Sequence, residues 1–220
     1  MTVPCAYCGD RATSEDHIPP QSLLVGVPRS ARPKVPACTD CNNGASDDDE
    51  YFRDVVVKNY RVADRPESTP AFESMVRALY HPKKRRYAEA TLRGIKDRRV
   101  FTHAGLDLGL QPTYDVDTAR VVRCVSRYVR GLHFRELGKT VAPDNLVALA
   151  NPESLLNDPR LGQLLRWGTR RIVKRGVFFY SWLHPIDRPS ASVWVLVFFD
   201  ELPFVGIVHG TPEFLATTVV

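Results

Sequence analysis

At 220 residues, with 44% hydrophobic and 25% charged positions, the chain is long enough to bury a core and too apolar to be disordered. Its net charge of +5 leans toward a polyanionic partner without fixing one. No stretch approaches the roughly 20 apolar residues of a membrane span. Residues 1–6 lack the charged and apolar regions of a signal peptide, so a cytoplasmic protein with no membrane association is expected.

Charge is unevenly placed along the chain. Residues 1–50 carry four Lys/Arg against eight Asp/Glu, a net of −4, and residues 51–100 carry thirteen against six, a net of +7. An acidic head beside a basic middle suits a metal centre docked on a phosphate-binding surface.

Residues 1–45 are dense in Pro, Gly and polar side chains and predict a loop-rich, metal-organised unit. A helix is expected next. Ser46 caps it with Asp49 three residues on, and the run Asp47, Asp48, Asp49, Glu50 suits the positive end of its dipole. Phe52, Val55, Val56 and Tyr60 recur at helical spacing to give it an apolar face. Residues 63–70 (ADRPESTP) read as a linker, dividing the chain into units 1–62 and 71–220.

Helices are predicted over 71–80 and 85–95, then a strand or hairpin over 99–110 with Gly105 and Gly109 as turn residues. A long helix over 116–137 carries Val121, Val125, Tyr128 and Leu132 on one face. Arg120, Arg123, Arg127 and Arg130 form a stripe opposite, either phosphate-facing or simply solvated. Residues 152–167 read as helical with a break at Pro159. Strands are predicted over 177–182, 192–199 and 204–208. The fold class is α+β, with a topology that the pattern leaves open.

The chemistry concentrates near the start. Cys5/Cys8 and Cys38/Cys41 are two Cys-x-x-Cys pairs, and reduced cytosolic thiols at this spacing favour metal over disulfide. Four thiolates on one tetrahedral Zn²⁺ leave no open coordination position, so this zinc is expected to be structural. Between the pairs lies Glu15-Asp16-His17-Ile18-Pro19-Pro20, and Asn42 follows the last cysteine. Neutral histidine is a suitable general base near neutral pH, while a carboxylate and an amide oxygen are hard ligands for Mg²⁺ or Mn²⁺. Asp16, His17 and Asn42 supply that set.

The order Cys-x-x-Cys, Asp-His-Ile-x-Pro, Cys-x-x-Cys-Asn resembles the HNH, or ββα-metal, endonuclease superfamily, and among its members those that carry structural zinc. The resemblance covers residues 5 to 57. It implies a β-hairpin and helix around one catalytic divalent ion. Residues 71–220 lie beyond it and are expected to form an α+β accessory or substrate-recognition domain. It matches His17 to the water-activating base, Asp16 and Asn42 to ligands of that ion, and the four cysteines to zinc ligands. The implied reaction is hydrolysis of DNA to a 5′-phosphate and a 3′-hydroxyl. Many members place another His or Asn about eight residues beyond the asparagine. Here Asp49 and Glu50 stand near that position, either completing the metal site or belonging to a solvated helix start. Asn43 competes with Asn42 for its role.

Lys83, Lys84, Arg85 and Arg86 form a basic cluster that reads as phosphate contact or as a solvated helix start. Cys124, His103, His133, His184 and His209 are expected to be structural, as are Trp182, Trp194, Phe198 and Phe199. The alternative to a nuclease is a zinc-dependent nucleic-acid-binding module without catalysis.

Overall fold

A computed structural model describes residues 3–102, 104–141, 145, 147–150 (backbone alone), 159, 166–184 and 191–209. His103 and all but three residues of the helix expected over 152–167 lie outside this set. The class is mixed α+β, as expected.

Two short strands open the fold. β1 (Ser14–His17) pairs antiparallel with β2 (Lys34–Ala37), placing Asp16 opposite Val35 and His17 opposite Lys34. Alternation along β1 buries Asp16 and leaves His17 half-exposed. A one-turn helix α1 (Thr39–Asn43) follows, and then α2 (Ser46–Lys58). Ser46 lies inside α2 rather than capping it, and its hydroxyl donates to the Asn43 carbonyl at 2.6 Å. The helix stops at Lys58 because Asn59 is extended and caps a further short helix, α3 (Tyr60–Ala63). Tyr60 therefore leaves the apolar face expected of it and is 71% exposed.

Residues 63–70 are more than a spacer. A 3₁₀ turn spans Pro66–Ser68, and the buried Ser68 hydroxyl donates to the carbonyls of Val62 and Arg65. Next come α4 (Thr69–Leu79) and α5 (Arg85–Arg93), the latter closed at Gly94. A largely exposed hairpin, β3 (Ile95–Phe101) with β4 (Asp107–Tyr114), is longer than expected. Gly105 sits in its turn, whereas Gly109 falls within β4.

The longest described helix, α6 (Thr118–Leu137), is capped at each end. The Asp117 side chain accepts from the Arg120 N–H, and Gly138 adopts the left-handed conformation that ends a helix. α6 lies against a five-stranded antiparallel sheet ordered β5-β9-β8-β7-β6. These strands are β5 (Val147–Ala150), β6 (Thr169–Lys174), β7 (Phe178–Leu183), β8 (Ser192–Phe198) and β9 (Leu202–Val208).

Among the described residues the main hydrophobic core runs from Cys5 and Ile18 through Phe52 and Tyr128 to Trp194 and Val208, leaving out α5 and the β3–β4 hairpin. Val195, Val197 and Val205 form a small second cluster. Phe52 of α2 is fully buried, its ring 5.2 Å from Tyr128, 5.5 Å from Phe198 and 5.3 Å from Phe204. Two glycines permit the close approaches that join the layers. A Cβ at Gly131 would stand 2.1 Å from Ile18 Cδ1, and one at Gly206 would stand 2.5 Å from Val129 Cγ2. The end of β1 thus rests on α6, and α6 rests on β9.

Among the described residues, no helix is long and apolar enough to cross a membrane.

Candidate functional site

The four paired cysteines come together. One ligand atom from each of Cys5, Cys8, Cys38 and Cys41 lies within 4.8 Å of the others, and the Cys8 and Cys38 sulfurs are 3.7 Å apart. Four sulfurs about 2.3 Å from a central zinc would be spaced by about 3.8 Å, so the cluster already has the right dimensions. Backbone N–H groups turn in toward the sulfurs, Tyr7 to Cys5 at 3.5 Å and Cys41 to Cys38 at 3.4 Å. Burial raises the Cys5 thiol, but the backbone donors of Cys8, Cys38 and Tyr7 outweigh it and draw the thiol down to about 7. Cys41 moves the other way, pushed up by burial and by the adjoining thiols. Thiols crowded in this way ionise together only when a cation joins them, and a metal such as zinc fits the donor set.

The cluster is tied to β1 through α1. The side-chain amide of Asn42, next to Cys41, donates to Ser14 Oγ at 3.1 Å and to the Glu15 carbonyl at 3.3 Å. Asn43 is exposed. The knuckles therefore brace the strand that carries Asp16 and His17.

His17 is half-buried. Its pKa is lowered by burial and then by the charges of Lys34, Arg32 and Arg29, with Glu15 opposing. A neutral ring therefore dominates at pH 7. Arg32 donates to Gln21 Oε1 at 2.9 Å, which orients the Gln21 amide so that its nitrogen donates to His17 Nδ1 at 3.1 Å. This relay assigns the imidazole proton to Nε2. Water activation through Nδ1 would first require Gln21 to let go.

Asp16 faces the opposite way and is 6% exposed. Its carboxylate accepts from the Tyr7 hydroxyl at 2.5 Å and is ion-paired with the Arg127 guanidinium. The other terminal nitrogen of Arg127 reaches the Asp49 carboxylate at 3.0 and 3.1 Å, and Asp49 also accepts from the Tyr128 hydroxyl at 2.7 Å. Burial pushes both carboxyls up, opposed by Arg127 and the tyrosines.

The acidic candidates thus divide. Asp49 shares a partner with Asp16, whereas Glu50 pairs with Lys84 and with Arg53. Asp16, Asn42 and Glu50 are each committed to different groups. Among the described residues, no group of three or more His, Cys, Asp or Glu ligand atoms other than the four cysteines comes together. As arranged, Arg127 and Tyr7 engage Asp16, and Lys84 and Arg53 engage Glu50.

The arginine stripe of α6 turns largely onto the first part of the chain, with Arg123 still exposed. Arg120 and Arg123 bind Asp48, Arg127 binds Asp16 and Asp49, and Arg130 donates to the Tyr7 carbonyl at 2.6 Å. Three aspartates of the acidic head, Asp16, Asp48 and Asp49, are engaged by three of these arginines. The sequence shows the acidic run of α2 and the arginines at helical spacing in α6, but periodicity alone cannot pair two helices. Of the basic cluster, Lys83, Arg85 and Arg86 are exposed, while Lys84 is half-buried on Glu50. Cys124 is buried, its thiol donating to the Asp48 carbonyl, and His133 is buried against Ser192.

Comparison with known protein families, curated proteins and solved structures gives no match for this chain.

Proposed function

We propose that the chain is an HNH-type phosphodiester hydrolase of nucleic acid, with DNA as the first substrate to test and the cytoplasm as its setting. The observation that carries this reading is the bond from Asn42 to the Glu15 backbone, 3.3 Å long. It couples the thiol cluster to the strand end that presents Asp16 and His17, in the order the HNH resemblance requires. Cys5, Cys8, Cys38 and Cys41 would hold Zn²⁺, which supplies a tetrahedral cross-link and leaves catalysis to other groups. His17 is the proton-handling group, held neutral by burial and by the cations beside it. Arg29, Arg32 and Lys34 supply positive potential for a phosphodiester near the ring. The Mg²⁺ or Mn²⁺ of the HNH resemblance has no seat while Arg127 engages Asp16.

That engagement favours a second reading, a zinc-dependent nucleic-acid-binding module without catalysis. Supercoiled plasmid incubated with zinc-loaded wild type or His17→Ala, with Mg²⁺, Mn²⁺ or EDTA, separates the two. The hydrolase nicks the plasmid, and His17→Ala slows nicking by about 10²–10⁴-fold. Retention of DNA without cutting, with branched DNA and RNA also intact, selects the binding module.

A further inference from the structure

We infer that Arg127 is a built-in counter-ion, its guanidinium occupying the place between Asp16 and Asp49 that a divalent cation would take. The inference builds on the HNH reading of Asp16 as a metal-site carboxylate, but it is read out by ion binding and not by cleavage.

Three observations converge. The first is geometric: Asp16 lies on β1 and Asp49 on α2, yet both carboxylates meet the two terminal nitrogens of one planar fork. They therefore face each other across a gap spanned by a single cation. The second is charge. Two carboxylates share one guanidinium, because Arg120 and Arg123 are engaged with Asp48 and Arg130 with a backbone carbonyl. One positive charge balances half of the pair, whereas a divalent ion would balance all of it. The third is an incomplete fit. Arg127 Nε is buried without a hydrogen-bond partner, so the side chain is held by its two carboxylates and by the Tyr7 ring 5.1 Å from the guanidinium carbon, and not by a fully satisfied socket.

The place is also reachable. A cleft of about 330 Å³ between the α1–α2 turn and α6 is lined by Cys41, Asp48, Asp49, Arg123 and Arg127. Asp49 and Arg127 line this cleft and Asp16 does not, so the opening is on the Asp49 side of the guanidinium. Hard carboxylate oxygens select Mg²⁺ or Mn²⁺, while the thiol cluster keeps its softer zinc.

The test is Mn²⁺ binding to the zinc-loaded full chain, followed by calorimetry and by thermal unfolding, for wild type and Arg127→Met. Arg127→Met is expected to bind one Mn²⁺ at least about tenfold more tightly than wild type, since the competing cation is gone. Its melting temperature should rise with Mn²⁺, and Asp16→Asn in the same background should abolish both effects. Equal Mn²⁺ affinity in wild type and Arg127→Met, or tighter binding that survives Asp16→Asn, would overturn the inference. If Arg127→Met does not fold with or without Mn²⁺, Arg127→Lys decides, because one ammonium cannot span both carboxylates. Its Mn²⁺ affinity then rises if the inference holds and equals that of wild type if it does not. Mn²⁺ binding by the variant without plasmid cleavage would leave the counter-ion in place and remove the hydrolase. Cleavage with unchanged Mn²⁺ affinity would do the reverse.

Discussion

His133 is a buried base whose neutrality contributes to stability. Its Nδ1 lies 2.9 Å from Ser192 Oγ, and its pKa falls to about 4 through burial, with the charges of His184 and Lys139 adding to the shift. The unfolded chain binds this proton near pH 6.5 and the folded chain only near pH 4. The contribution is therefore complete above about 6.5 and is lost as pH falls from there toward 4, a loss of about 3 kcal/mol. Urea unfolding at pH 7 and pH 4.5 should show that loss in wild type and much less of it in His133→Gln, which keeps a partner for Ser192. Equal acid sensitivity in the two proteins would refute it. Sequence reading placed His133 among the structural histidines from the absence of ligand-like neighbours, and its burial agrees. Arg127 was the harder residue. It directly precedes Tyr128 of the apolar face, so helical spacing put it on the solvent side, while the tertiary position of Asp16 and Asp49 put it inside.

Elements were legible where local chemistry decides them. The acidic first turn of α2 and the apolar runs of β7, β8 and β9 all follow from residues within a few positions of one another. Pairings between distant elements were not, because the β5–β9 pairing and the α2–α6 ladder join residues more than 50 positions apart. The joint between α6 and β9 illustrates this dependence. Gly206 reads locally as a weak point in a strand, yet it is what admits Val129. A methyl at 206 would meet Val129 Cγ2 at 2.5 Å and its Cβ and Cγ1 at 3.3 Å, a stiff branched side chain with no room to turn. Gly206→Ala should cost about 1–3 kcal/mol in chemical denaturation. Val129→Ala in the same chain should recover part of that cost, so that the double variant is less destabilised than the sum of the singles. Strict additivity would mean that the contact is not what matters.

At the scale of the whole molecule, the thiol cluster and the core are one structure. Cys5, Ala6, Tyr7 and Ile18 belong to the same apolar cluster as Tyr128 and Trp194, so losing the N-terminal unit exposes one face of α6. The sequence made the thiol cluster plain, since two Cys-x-x-Cys pairs state their chemistry by spacing. It did not reveal that the unit borrows its core from the rest of the chain. If zinc is what the cluster holds, a strong chelator should lower the melting temperature of the entire chain by roughly 10 °C or more, in a single transition. Cys38→Ser should do the same without chelator. An unchanged transition would separate metal from stability.

The internal ion ladder also has a history in time. Asp49 and Arg127 are 78 positions apart. At translation rates of about 5–20 residues per second, roughly 4–16 s pass between the appearance of the one and the arrival of the other. For those seconds the nascent acidic segment is exposed to whatever cations the surrounding solution offers. The guanidinium that bridges Asp16 and Asp49 is synthesised after both of them, as part of the same chain.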